Sequence, residues 1–99
     1  MIDRLESLRL IPVVALEHAE DAEPLADALC AGDLPCAEIT LRTDAALKII
    51  RALAKRDDFL LGAGTVHSAE QAETAVEAGA RFVVTPGFNP QTVKWCQEN

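Results

Sequence analysis

Cys36-Ala37-Glu38-Ile39-Thr40-Leu41-Arg42 is the stretch on which the fold turns. It reads as a strand, and side chains along a strand alternate between its two faces. Glu38, Thr40 and Arg42 therefore share one face, and Ile39 and Leu41 share the other. An open doubly wound sheet carries helices on both faces, and would bury Glu and Arg without partners at several kcal/mol per charge. In a (β/α)8 barrel the apolar face meets an outer ring of helices. The polar face looks into the lumen, and its last residues line the catalytic mouth. An edge strand with a solvated face is the competing reading. Cys36 and Ala37, which lead into the segment, argue against it.

The rest of the chain repeats the pattern. A short helix is expected over residues 3–9, with Ile2, Leu5 and Leu8 on one side, and a β-branched strand over 11–16. Residues 19–31 carry Ala22, Leu25, Ala26 and Leu29 at helical spacing, and Gly32 is the stop. A third helix starts near Asp44, with Thr43 or Asp44 as its cap and Ala46, Ile49, Ile50 and Leu53 as its buried stripe. A strand over 59–63 follows. Ser68 and Gln71 then form a capping box for a helix with Ala69, Ala72, Ala75 and Val76 on one face, ending at Gly79. A strand over 81–85 leads to a fifth helix capped by Asn89 with Pro90 at its first position.

The strand centres Val14, Ile39, Leu61 and Val83 stand 25, 22 and 22 residues apart. That is a βα repeat whose helical crossovers make the strands parallel and leave no room for a second domain. A barrel closes with about eight strands. Residues 1–99 are thus expected to be a single half-barrel segment of four βα units, part of a barrel of about 200 residues.

Composition narrows the partners. With 9 Lys+Arg against 16 Asp+Glu the formal net charge is −7, which argues against nucleic acid and against an anionic membrane surface. No apolar run approaches the roughly 18 residues of a membrane span, and residues 1–4 do not read as a signal peptide. Cys30, Cys36 and Cys96 show no C-x-x-C spacing and are expected as buried thiols in a reducing cytoplasm. His18 and His67 have no acidic or thiol ligand pattern around them, so neither a metal site nor a cofactor is expected.

Three segments carry chemistry. Glu38 faces the lumen as a proton-shuttle candidate, and Arg42 lies nearer the mouth, with a planar fork suited to a carboxylate or phosphate. A purely structural Glu38–Arg42 pair explains the same residues equally well. In Gly62-Ala63-Gly64-Thr65 the two glycines let a substrate approach the backbone, and Thr65 adds a hydroxyl. The segment lacks the third glycine and the acidic ribose ligand of a dinucleotide site. Thr85-Pro86-Gly87-Phe88 closes the fourth strand at the same rim, and by itself reads as a loop turn.

Glu38-Ile39-Thr40-Leu41-Arg42-Thr43, Gly62-Ala63-Gly64-Thr65-Val66 and Thr85-Pro86-Gly87-Phe88 resemble, in order and spacing, the 2-keto-3-deoxy-6-phosphogluconate / 2-keto-4-hydroxyglutarate aldolase family. Ile11-Pro12-Val13-Val14 and Leu16-Glu17-His18-Ala19 resemble that family's opening. The resemblance implies a class I aldolase that joins pyruvate to a lysine as a Schiff base, without metal. Such an enzyme cleaves the sugar acid phosphate to pyruvate and glyceraldehyde 3-phosphate. It implies Glu38 as general acid/base, Arg42 and Thr65 as holders of the pyruvyl carboxylate, and Pro86 as pocket wall.

The family's Schiff-base lysine lies in a later K-F-F-P-like strand. That segment is not in these 99 residues, nor are the glycine-rich phosphate loops that follow it. Lys48, Lys55 and Lys94 fall on predicted helices. The chain alone is therefore expected to lack aldolase turnover. The alternatives are a non-catalytic half-barrel that assembles with itself or a complementary half, and another phosphate-binding barrel enzyme. A homo-oligomer with a small keto acid as ligand is the expected state.

Overall fold

The computed structural model describes residues 1–99. In chain order it contains α1 (Ile2–Leu8), β1 (Val13–Val14), a 3-10 turn (Ala19–Asp21) running into α2 (Ala22–Ala31), β2 (Cys36–Thr40) and α3 (Ala46–Leu53). Then follow β3 (Leu60–Gly64), α4 (Ala69–Ala78), β4 (Phe82–Val83) and α5 (Pro90–Glu98). The strands form one parallel sheet in the order β1-β2-β3-β4. A doubly wound sheet reverses its strand order at a switch point. Here each strand adds beside its predecessor, and crossovers of one hand then fall on one face. This is a barrel section, as the alternation in β2 predicts.

The core follows the same alternation. Ala37 and Ile39 of β2 and Leu61 and Ala63 of β3 share one apolar cluster with Ala22 and Ala26 of α2, Ile49, Ile50 and Leu53 of α3, and Ala72 and Ala75 of α4. Val76 departs from its expected burial: it is exposed, beside an apolar groove of about 430 Å3 that also involves Phe82, Val83 and Trp95 at the last strand.

Three strands are shorter than the sequence predicts, and β2 stops at Thr40, two residues short of Arg42. β1 and β4 are the outer strands and pair on one side only, and Pro12 has no N–H to donate. The pairing nevertheless reaches past the formal strand ends: Glu38 N–H donates to the Pro12 carbonyl at 2.8 Å, and Val84 N–H to Ala63 at 2.8 Å.

The caps of the later helices are as expected. Ser68 Oγ accepts from the Gln71 N–H at 3.1 Å, and Asn89 Oδ1 from the N–H groups of Gln91 and Thr92 at 3.0 and 3.2 Å. The cap expected for α3 is not there. The helix starts at Ala46 with Ala45 as N-cap and no side-chain bond. Thr43 Oγ1 instead donates to the Leu16 carbonyl at 2.7 Å, which spends it on holding the ends of β1 and β2 together.

At the opposite end of the strands, Arg56 joins Glu23 and Asp27 of α2 to Asp58, at 2.8, 2.7 and 2.9 Å. These hydrogen bonds hold the Asp58 carboxyl below its ordinary value. All three cysteines are free. Cys36 is buried and Cys30 half-buried, but Cys96 is exposed on α5, against the expectation of three buried thiols. No helix is long and apolar enough to cross a membrane.

Candidate active site

The register of the sheet places Val13, Glu38, Gly62 and Phe82 in one row across the inner face, opposite the helices. The next pleat toward the strands' C-terminal end pairs Thr40 with Gly64. Thr40 Oγ1 donates to the Val14 carbonyl at 3.3 Å and so ties β2 to β1.

Glu38 leans out of its row. A Cβ built on Gly64 would overlap the Oε1 and Cδ of Glu38, and one on Gly62 would overlap the Phe82 ring. The space over both glycines is thus filled by the protein's own side chains. This corrects the sequence-based expectation that the glycines clear the backbone for substrate.

Glu38 is buried, 7% exposed as a residue, and its carboxylate oxygens accept no hydrogen bond from the chain and keep contact with solvent. Burial pushes its carboxyl above the usual carboxylate value, and the positive charge of Arg42 offsets part of that rise. A carboxylate so placed is suited to giving and taking protons.

Arg42 lies just past the end of β2 and is exposed. It does not pair with Glu38: its Nε–H donates to Thr65 Oγ1 at 3.1 Å. The two readings left open by the sequence are separated here, because the structural Glu38–Arg42 ion pair does not form. The remaining guanidinium N–H groups point to no protein acceptor and are free for an anion. Thr65 holds its place with φ 57°. That left-handed conformation costs a β-branched residue about 1–3 kcal/mol and commonly marks functional sites.

Pro86 is exposed in the loop after β4. It lines an open cleft of about 340 Å3 with Val66, His67, Gly87, Phe88 and Asn89, which contains none of Glu38, Arg42 and Thr65. Thr85 Oγ1 donates to the Gly87 carbonyl at 2.8 Å, as in a loop turn. The largest cavity, about 600 Å3, lies on the helix side between the starts of α3 and α4. Its size does not make it the site: the inner face of half a barrel is an open surface, and it carries the Glu38 carboxylate within the field of the Arg42 guanidinium.

Lys48 and Lys94 are exposed on α3 and α5, and Lys55 is exposed in the turn after α3, outside its predicted helix. Lys48 and Lys94 belong to the helical layer, and Lys55 to the turn that leads from α3 toward β3. No cluster of His, Cys, Asp and Glu has the makings of a metal site.

Phe82 was not singled out by sequence reasoning, and Thr43 only as a helix cap and as the end of a motif. The shared parity of Gly62 and Gly64 was the available signal for Phe82, since a row of missing side chains needs something to fill it.

The family model for KDPG and KHG aldolase matches residues 1–99. A 2-dehydro-3-deoxy-phosphogluconate aldolase of Haemophilus influenzae is 52% identical over 99 residues, which are 99% of this chain and 47% of that protein. The crystal structure of the 2-keto-3-deoxy-6-phosphogluconate aldolase of Zymomonas mobilis with 3-phosphoglycerate superposes with a TM-score of 0.88 at 39% identity, over 98% of this chain and 47% of that one. A KDPG aldolase from Legionella pneumophila, with pyruvate captured at low pH as a covalent carbinolamine intermediate, gives 0.86 at 42% identity, over 90% and 44%. The chain spans about half the length of the curated relatives it matches, and corresponds to their N-terminal part. The solved relatives are TIM barrels, and the four βα units are the N-terminal half of that fold.

Proposed function

The chain belongs to the KDPG and KHG aldolase family, and from that premise we propose that it supplies the pyruvate-handling half of a class I aldolase site. In this reading Arg42 and Thr65 hold the carboxylate of the keto acid and Glu38 moves protons; Pro86, which lines a separate cleft after β4, is a pocket wall by family resemblance alone. The observation that carries it is the pairing of Arg42 with Thr65 at the strand ends, beside a buried carboxylate without a donor.

The chemistry divides accordingly. An amine adds to the keto carbon of the substrate, and loss of water gives a protonated imine. The bond between C3 and C4 then breaks, its electron pair passing into the imine to give an enamine. The C4 hydroxyl loses its proton as the aldehyde forms. Glu38 is the group in this chain suited to accept and return that proton. The carbinolamine captured in the Legionella relative supports imine chemistry for the family. The amine and the phosphate contacts come from outside these 99 residues, since Lys48 and Lys94 lie in the helical layer and Lys55 in the turn after α3. The whole protein is then a barrel of about 200 residues working in the cytoplasm on a phosphorylated sugar acid.

The test is a retro-aldol assay on the protein extended by the barrel's second half. Glu38→Gln should lower kcat by about 10²–10⁴-fold with little change in KM, because a proton shuttle acts in the transition states. Arg42→Ala should chiefly raise KM. The 99-residue chain should not be labelled by borohydride with pyruvate. Normal kcat in Glu38→Gln, or stoichiometric labelling of Lys48, Lys55 or Lys94, would overturn the assignment.

A second reading is favoured by Val13, which is 62% exposed on the inner face, and by the open outer edges of β1 and β4. Unpaired edges template pairing with another chain. Two copies related by a two-fold axis along the barrel would place β4 of each against β1 of the other and close eight parallel strands. A monomer by sedimentation at high micromolar concentration would remove this reading.

A further inference from the structure

We propose that Phe82 is the positioning residue for Glu38: its ring takes the inner-face space over Gly62, leaving the space over Gly64 as the resting place of the Glu38 carboxylate. The role deepens the aldolase reading and rests on it for its catalytic meaning, but the placement itself stands on the sheet alone.

Glu38 is flanked in its row by Val13 on β1 and Gly62 on β3. Val13 carries a branched side chain, so the β1 side is occupied. Gly62 carries none, and a Glu at position 38 would otherwise fold directly over it. Phe82, the next residue in the row, lies there instead, with its Cδ2 2.5 Å from a Cβ built on Gly62. One pleat further, Gly64 leaves a second hole, and that hole holds the Glu38 carboxylate. The glycine pair and the ring thus move the carboxylate by one pleat toward the end of the strands, where Arg42 and Thr65 meet. A carboxylate lying straight across its row would sit deeper in the sheet, farther from that pair.

The same packing explains the electrostatics. Val13 from β1, Gly62 from β3 and Phe82 from β4 share the row of Glu38, Gly64 lies beneath its carboxyl, and none of them titrates. Arg42, at the end of its own strand, is the one charge acting on it. Removing the ring admits water beside the carboxylate and frees it to fall back over Gly62. Both changes favour the ionised form.

Carbon-13 NMR titration of the Glu38 carboxyl in the 99-residue chain tests this without any need for activity. Phe82→Ala should move the titration midpoint of Glu38 downward, toward the ordinary carboxylate value. Phe82→Ala combined with Gly62→Val should restore it, because the new side chain refills the same space from β3. An unmoved midpoint in folded Phe82→Ala would overturn the proposal. So would failure of the Gly62→Val partner to restore a moved one.

Where Phe82→Ala does not fold, Phe82→Leu takes its place with the same expected direction. In the unaltered chain, Glu38 Hγ must show a nuclear Overhauser contact to the Gly64 Hα, and the Phe82 ring to the Gly62 Hα. Absence of either contact overturns the proposal with no variant at all. In the active, extended protein Phe82→Ala should lower kcat by about 10–100-fold with KM nearly unchanged, and shift the acidic limb of the pH–rate profile in step with the NMR midpoint. An inactive extended protein whose Glu38 nevertheless titrates as described would sink the aldolase reading and leave the positioning intact.

Discussion

The two faces of the same four strands are built to opposite rules. On the helix side Ala37, Ile39, Leu61 and Ala63 are apolar and within 1% of full burial, packed into a single cluster with three helices. On the inner side their immediate neighbours are Glu38, Thr40, Gly62 and Gly64: a carboxylate, a hydroxyl and two missing side chains. One face supplies burial of apolar area, and with it stability. The other carries a carboxylate without a partner in the chain, which such a core would not tolerate, held in place by the rigid face behind it. A difference of one residue along β2, from Ile39 to Glu38, separates the two tasks.

The sharpest way to break this comparison is to substitute those neighbours in turn. Ile39→Ala should cost about 2–5 kcal/mol in urea denaturation, through lost burial and the cavity left behind. Glu38→Gln should cost nothing at neutral pH, since it removes a buried charge and keeps the shape. A comparable loss from both would mean that the inner face is a second core.

The next effect is steric. Gly64→Ala puts a methyl group where the Glu38 carboxylate lies. Overpacking of this kind costs about 1–3 kcal/mol unless the neighbour moves. Here the neighbour is a side chain that can swing away, so kcat in the extended protein should fall about 10–100-fold while stability changes less than in Ile39→Ala. Activity kept with a large loss of stability would reverse the assignment of the two faces.

The pH dependence is smaller and has a definite sign. Burial raises the Glu38 carboxyl above its ordinary value, 4.5. The unfolded chain therefore releases this proton at lower pH than the folded one does. Stability from protonated Glu38 is complete below that ordinary value and is lost as pH rises through the raised folded one. Glu38→Gln should match the parent at low pH and become the more stable of the two as pH rises through that window. Denaturation midpoints that diverge on the acid side instead would contradict the burial argument.

The smallest expected effect separates a cap that forms from one that does not. Ser68→Ala should cost about 1 kcal/mol, because its hydroxyl accepts a helix N–H. Asp44→Ala should stay within about 0.5 kcal/mol, because α3 begins beyond it without a side-chain cap. Thermal unfolding of the two variants side by side decides this.

These outcomes also bear on how far the chain could be read before it was folded. The parallel βα order, the buried stripe of α3, the Ser68 and Asn89 caps and the inward parity of Glu38 were legible, because each depends on residues a few positions apart. The α3 cap was misplaced because Thr43 is claimed by the Leu16 carbonyl, 27 residues away in the chain. The candidate site was legible as a set of residues and not as a set of contacts. Arg42 has the parity of Glu38, two pleats on, yet bonds Thr65 just past the end of the adjacent strand.

What the sequence determined by itself is therefore periodicity: which segments are strands, which face of each is apolar, and that polar residues collect on the opposite one. Alternation along a strand is local geometry and needs no partner to be read. Tertiary structure alone decided what lies across from what. Register between strands is set by the packing of the whole sheet, and a slip of one residue would exchange its faces. Because Glu38 stands opposite Gly62 and Phe82 fills that glycine's space, the carboxylate rests over Gly64, nearer the strand ends where Arg42 meets Thr65.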